Sequence, residues 1–209
     1  MTALRLAKRK ELWVPTLLGW VLIVLTVFAL ITIYMRNIHS FLSVSNPVRT
    51  QILAVEEWIS PRALEGAASE YTSHDYIILV VIGDEKPWVI PILEKSGVDK
   101  KQIVQIPAPT PQKDRTFASA VALDNWLKSS GMYGKAVNIY SSGTHGRRSW
   151  MLFREALGTD YPLGVISFQS PGYDPKRWWK SSEGFRSVIY ETIAYAYTEF
   201  FFLPVKALE

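Results

Sequence analysis

The residues best suited to chemistry fall in one stretch, Tyr140-Ser141-Ser142-Gly143-Thr144-His145-Gly146-Arg147-Arg148. An apolar run, Ala136 to Tyr140, precedes it, and a run of helical period, Ser149 to Leu157, follows. A strand entering such a turn and a helix leaving it would aim the first backbone N–H groups of the helix, the hydroxyls, an imidazole and two guanidiniums at one small volume. Helix N-termini attract anions through their dipole, and arginine adds a fork of donors that matches phosphate or carboxylate. The chemistry expected there is anion binding, with His145 placed to move a proton near neutral pH. The plainer alternative is that Ser142 or Thr144 caps the helix while Arg147 and Arg148 are solvated.

Three further loops carry polar residues that the same edge of a sheet would gather. Val55-Glu56-Glu57-Trp58 ends one apolar run, Gly83-Asp84 ends another, and Asp114-Arg115-Thr116 opens a helix. The candidate catalytic residues are therefore His145 and Glu56. The candidate ligand-binding residues are Arg115, Thr116, Ser141, Ser142, Thr144, Arg147, Arg148, Trp58 and Asp84. For three neighbours a structural role competes: Glu57 as a solvated loop charge, Arg115 paired with Asp114, and Trp58 at the edge of the core. Metal binding has little support, because His39, His74 and His145 lack ligand-like spacing and the chain has no cysteine to supply thiolate. Which cofactor, if any, the chain uses is unknown from the sequence.

These loops need elements to hold them. Apolar runs of strand length alternate with segments of helical period, the pattern of a mostly parallel sheet of about five strands covered on both faces, an α/β, Rossmann-like, three-layer build. The strands are read at Gln51 to Val55, Tyr76 to Ile82, Gln102 to Ile106, Ala136 to Tyr140 and Leu163 to Phe168. Ser60-Pro61 opens the first intervening helix, to about Tyr71, since serine followed by proline is a strong start signal. Further helices are expected from about Trp88 to Lys95, from Arg115 to Ser129 behind Asp114 as N-cap, from Ser149 to Leu157, and from about Glu183 to Phe202. The proline-rich loop Pro107-Ala108-Pro109-Thr110-Pro111 cannot be strand. In an open parallel sheet the working crevice lies beyond the carboxyl ends of the strands, which is where the polar loops fall.

The chain has 209 residues, 48% hydrophobic and 20% charged, with a net charge of +4. That suffices for one domain and an appendage, and the charge is too modest for a nucleic-acid-binding face. From Leu12 to Met35 no charged residue occurs, and about 24 residues at about 1.5 Å each cross a hydrocarbon core of about 30 Å with some tilt. One membrane pass over 12–36 is expected, behind a basic arm, 1–11. Arg5, Lys8, Arg9 and Lys10 precede the span and only Arg36 follows closely, so the N-terminus is expected in the cytoplasm and the folded part outside it. Residues 37–50 read as a short polar tether, with His39 at the membrane surface. Trp178-Trp179 is expected to seat the last helix. The aromatic run Tyr195 to Phe202, interrupted by Glu191 and Glu199, is no second span and is read as a buried helix or a partner contact.

Three of these motifs in order, Val55-Glu56-Glu57-Trp58, Asp114 to Ala120 and Ser141 to Arg148, resemble the bacterial domain family that includes YdcF, SanA and ElyC. The likeness covers about Gln51 to Phe202 and rests on a Thr-x-x-Ser-Ala helix start at Thr116 to Ala120 and a Ser-x-x-His-x-x-Arg turn at Ser142 to Arg148. The resemblance implies a Rossmann-like domain, often tethered to the bacterial inner membrane, with links to envelope or peptidoglycan-related processes. The chain departs from the pattern where Glu57 stands in place of a glycine and only Gly83 remains of a second glycine turn. Two function classes follow. One is an accessory or ligand-binding subunit in envelope or polysaccharide biogenesis, whose partners are the lipid bilayer, an envelope protein complex and a phosphorylated or carboxylated small molecule. The other is an enzyme, hydrolase or transferase, acting on a phosphorylated envelope precursor.

Overall fold

In the computed structural model, which describes residues 14–108 and 114–202, five apolar runs become five parallel strands: β1 (Ile52–Glu56), β2 (Ile78–Gly83), β3 (Ile103–Pro107), β4 (Val137–Ser142) and β5 (Leu163–Phe168). They form one sheet in the order β3-β2-β1-β4-β5. Helices α2 (Pro61–Ser73), α3 (Val89–Lys95), α4 (Arg115–Ser129) and α5 (Gly146–Leu157) connect them, and α6 (Ser182–Phe201) closes the chain. This is the expected α/β, Rossmann-like architecture. Side chains alternate across the sheet because successive Cβ atoms point to opposite faces. Ile52, Ala54, Val80 and Ile139 pack with Leu123 and Leu127 of α4 and Phe153 of α5. Leu53, Val55, Leu79 and Val81 pack on the other face with Leu64, Ala67 and Ala68 of α2 and Leu93 of α3.

The strand order fixes where a site can form. Connections from β1 through β3 move outward on one side, and the next crossover returns to the far side of β1, so β1 and β4 are neighbours whose following loops diverge. That is the topological switch point, and the crevice beside it lies at the carboxyl ends. Glu56 ends β1, and His145 follows β4 after a 3-10 turn, Gly143–His145.

The chain separates into two compact units, one up to Asn37 and one from Ile38 onward. The first is most of α1 (Leu17–Leu42), the single helix among the described residues that is long and apolar enough to cross a membrane. Thr26 and Thr32 send their hydroxyls back to the carbonyls of Leu22 and Phe28, both at 2.8 Å, which leaves neither group in need of water. The basic arm lies outside the described residues, as do Leu12 and Pro109 to Pro111.

Residues 37–50 differ from a tether. Helix α1 continues to Leu42, and the chain after it is fastened to the domain. Asn46 pairs with Val165 as an isolated antiparallel bridge, Ser167 Oγ donates to Val44 O at 2.6 Å, and Asn138, buried in β4, grips the backbone of Val48 through both its amide atoms. Gly164 is required here, because a Cβ would stand 2.0 Å from Asn138 Oδ1 and 2.6 Å from Val48 N. His39 is likewise 4% exposed and sits 3.1 Å from Tyr173 Oη, so it is packed on the domain. Polar composition suggested a tether, but the backbone of Val44, Asn46 and Val48 is hydrogen-bonded to β5 and β4.

Candidate functional site

Helix α5 begins at Gly146, three residues earlier than its apolar period indicates, and the 3-10 turn before it swings His145 inward. Its hydroxyls do not face an open anion site. Ser141 Oγ meets Ser149 Oγ at 2.9 Å, Thr144 Oγ1 meets Ser187 Oγ at 2.7 Å, and Ser142, at the cap position of the 3-10 turn, makes no side-chain cap. Asp114 precedes α4 with φ of 51° and no side-chain cap, so it is not the capping residue its type suggested. Arg147 turns away from the others. Its guanidinium lies over the Phe41 ring at 3.9 Å and its Nε donates to Phe41 O.

The remaining candidates converge around His145. Its Nδ1 lies 3.1 Å from Oε1 of Glu191, on α6, and its Nε2 lies 3.3 Å from Oγ1 of Thr116, on the first turn of α4. Arg148 grips the same Glu191 with both prongs, Nε to Oε2 at 2.9 Å and Nη2 to Oε1 at 3.1 Å. Arg148 Nη2 lies 2.9 Å from the same Nδ1, so that nitrogen faces a carboxylate that only accepts and a guanidinium that only donates, while Nε2 faces the Thr116 hydroxyl, which can do either. Carboxylate, imidazole and hydroxyl stand in the spatial order seen in the nucleophile-activating arrays of unrelated hydrolases, with the Arg148 guanidinium inserted at the carboxylate end. Trp58 packs edge-on against His145 with ring centroids 4.9 Å apart, and Arg115 lies over the Trp58 ring at 5.6 Å.

The two carboxyl groups of this cluster are tuned in opposite directions. Burial by itself would raise Glu191, but hydrogen bonds from His145 and Arg148, with their charges, outweigh it and hold the group at about 2. Burial pushes Glu56 above the usual glutamate range, against the opposing charges of His145 and Arg148 and the nearby donors of Trp58 and Ser119. Its Oε1 and the Trp58 Nε1 are buried without a hydrogen-bond partner among the described residues. A raised folded-state carboxyl binds a proton more tightly than the unfolded chain does, so Glu56 stabilises the fold below its unfolded value near 4.5 and this contribution is lost as pH rises through the folded value. Glu56→Gln should accordingly be more stable than wild type at pH 7.5 and lose that advantage near pH 4. Thermal unfolding of both chains across that range is the check, and an unchanged gap would argue that Glu56 is not tuned by burial.

Glu57 is 2% exposed and is no solvated loop charge. Its Oε1 accepts from Asp84 N at 2.5 Å and its Oε2 from Lys86 N at 3.0 Å, while Lys86 Nζ lies 3.9 Å from Oε1. Between them Glu85 takes a left-handed φ of 61°, which turns successive N–H groups toward one point, a backbone concavity of the kind that receives anions. Gly83 lets the carboxylate approach, since a Cβ there would stand 1.9 Å from Glu57 Cγ. The space left beside Trp58, Asp84, Arg115 and Ser119 is about 30 Å³, about the room of one water. Among the described residues no group of three or more His, Asp and Glu side chains could hold a metal ion.

Of the candidates named from sequence, Glu56, Trp58, Thr116, His145 and Arg148 form one cluster, Asp84 and Arg115 frame the small cavity next to it, and Ser141, Ser142, Thr144 and Arg147 lie outside both. Glu191 was missed as a site residue. The one signal for it was an acid inside an aromatic helix, a placement that calls for a buried partner.

Fold and site together define a parallel α/β domain with a buried Glu191–His145–Thr116 array beside its switch point, in a chain that also carries a helix long and apolar enough to cross a membrane. No protein-family model, no curated protein and no solved structure matches the chain.

Proposed function

We propose that this chain is a single-pass cell-envelope protein of the bacterial inner membrane, with its domain outside the cytoplasm, serving as an accessory or ligand-binding subunit in envelope or polysaccharide biogenesis. It is a relative of the YdcF, SanA and ElyC family on this reading, with a cleft suited to anions but closed to turnover. The observation that carries it is the Glu57 carboxylate, which takes the donors of the β2–α3 loop that would otherwise hold a ligand's anionic group. The long apolar helix and the basic arm before it support the address.

The alternative, an enzyme acting on a phosphorylated envelope precursor, is favoured by the Glu191–His145–Thr116 array. On that reading His145 takes the proton of an attacking hydroxyl and Arg115 steadies the phosphoryl group. The full-length chain, purified in detergent and given a polyprenyl diphosphate, separates the two. No phosphate release above that of His145→Ala is expected. Release that disappears in His145→Ala would replace the accessory reading with the enzymatic one. Topology is tested separately, since a C-terminal tag should be open to protease added to intact spheroplasts while an N-terminal tag is protected.

A further inference from the structure

A cavity of about 920 Å³ opens at the amino ends of β1, β2 and β4, the edge of the sheet opposite His145. Pockets that hold small organic molecules run to about 300–1,000 Å³, so this one has room for a guest where the space beside Arg115 has room for a water. Two walls enclose it. On one side α2 ends in Glu70 and His74, and Asp75 and Tyr76 lead into β2. On the other, Val48 to Gln51 lead into β1, and Met132, Lys135 and Ala136 lead into β4. Asn138, buried in β4, ties the walls together, donating to Tyr76 Oη at 2.8 Å and holding the Val48 backbone with the same amide group. Tyr161 Oη fixes the turn before β4 by donating to Lys135 O at 2.6 Å. The cavity is thus formed before any guest arrives, which keeps the ordering cost of binding low.

Charge is divided between the walls, across β1. Glu70 and Asp75 stand on the β2 side and Arg49 and Lys135 on the β4 side, and these four with the titratable His74 are all the charged groups of the lining. Tyr76 Oη and His74 Nδ1 meet one oxygen of Glu70, Oε1, at 3.4 and 3.2 Å. Its Oε2 makes no hydrogen bond among the described residues, and neither Arg49 nor Lys135 takes part in an ion pair among them. Val48, Ile78, Met132 and the half-exposed Ile77 add an apolar surface.

We propose that this cavity binds a small zwitterion, an amino acid or short peptide with free termini and apolar side chains, its ammonium on Glu70 and its carboxylate on Arg49 and Lys135. Opposite charges on opposite walls suit a guest with one charge at each end, whereas a bare anion would meet Glu70 and Asp75 and a bare amine would meet Arg49 and Lys135. A sugar or a nucleobase seeks an open ring face, and Tyr76, the single tyrosine of the lining, is buried and stacked on Tyr71 with centroids 6.0 Å apart. The site is independent of whether the His145 array turns over a substrate.

Titration calorimetry of the full chain in detergent with trivaline tests it. Saturable binding is expected, and N-acetylation or C-terminal amidation of the tripeptide should each weaken it by about tenfold or more, the worth of a hydrogen bond to a charged group. Glu70→Gln should erase the preference for the free amine and keep that for the free carboxylate. Arg49→Ala combined with Lys135→Ala should do the reverse, and because both side chains are exposed this double variant carries the test if Glu70→Gln fails to fold. The absence of saturable binding at millimolar trivaline would overturn the proposal. So would equal binding of the doubly capped peptide, which would make the cavity an apolar site with no use for its charges.

Discussion

Glu191→Ala is expected to lower the stability of the domain by about 3–5 kcal/mol, the usual cost of removing one partner from a buried ion pair. The truncation leaves the Arg148 guanidinium, 14% exposed, without its carboxylate and removes the carboxylate beside His145 Nδ1. Of the ties between α6 and the turn after β4 it leaves the Thr144–Ser187 contact, 2.7 Å. The effect has a definite pH dependence. The Glu191 carboxyl is depressed from 4.5 to about 2, so its contribution is fully present above about 4.5 and is lost as pH falls toward about 2. The stability gap between wild type and Glu191→Ala should therefore be widest near neutral pH and narrow on acidification through that window. Unfolding of the full chain in detergent, followed by tryptophan fluorescence at several pH values, measures it. A gap below about 1 kcal/mol at pH 7 would mean that the pair is solvated enough to be worth no more than a surface bridge.

Glu57→Ala is expected to act on binding as strongly as Glu191→Ala acts on stability. Without the carboxylate, Asp84 N and Lys86 N lose their acceptor, and the cavity beside Arg115 grows from about 30 Å³ by the volume of the missing group. Two hydrogen bonds to a charged acceptor are worth about 1.5–3 kcal/mol each, offset by water entering the opened space, so a net loss of about 2–4 kcal/mol is expected in phosphate-free buffer. Inorganic phosphate at millimolar concentration should then raise the unfolding temperature of the variant, by mass action on the folded state, and leave wild type unchanged. Adding Lys86→Ala and Arg115→Ala to Glu57→Ala should weaken that response. Equal responses of wild type and Glu57→Ala to phosphate would show that Glu57 does not stand in for an anion, and the accessory reading would lose its main support.

The lessons for reading such a chain lie in particular residues. The five strands and their helices were legible because each is a local pattern: apolar runs of strand length, buried almost throughout in β1, β2, β4 and β5, and Ser60-Pro61 at a helix start. The shared edge of Glu56, Asp84, Thr116 and His145 followed from parallel topology alone. Even the limit on charged residues between Leu12 and Met35 is a property of composition, and α1 realises it over its described length.

What the sequence by itself determined, then, is the alternation of elements, the membrane-length helix and the edge of the sheet where polar loops meet, because hydrophobic period and turn chemistry act within a few residues. Which polar groups pair there was decided only by the tertiary structure. Glu191 reaches His145 across 46 positions, and Glu57 reaches the amides of Asp84 and Lys86 across 27 and 29. No local pattern encodes those pairs, since a buried charge takes whichever donors packing brings to it. The same reason explains the tether that became an edge strand partner and the last helix whose apolar side faces out. In each case the sequence holds the right residue types, and the direction they face is set by where β1 and β4 part and by what α6 must cover.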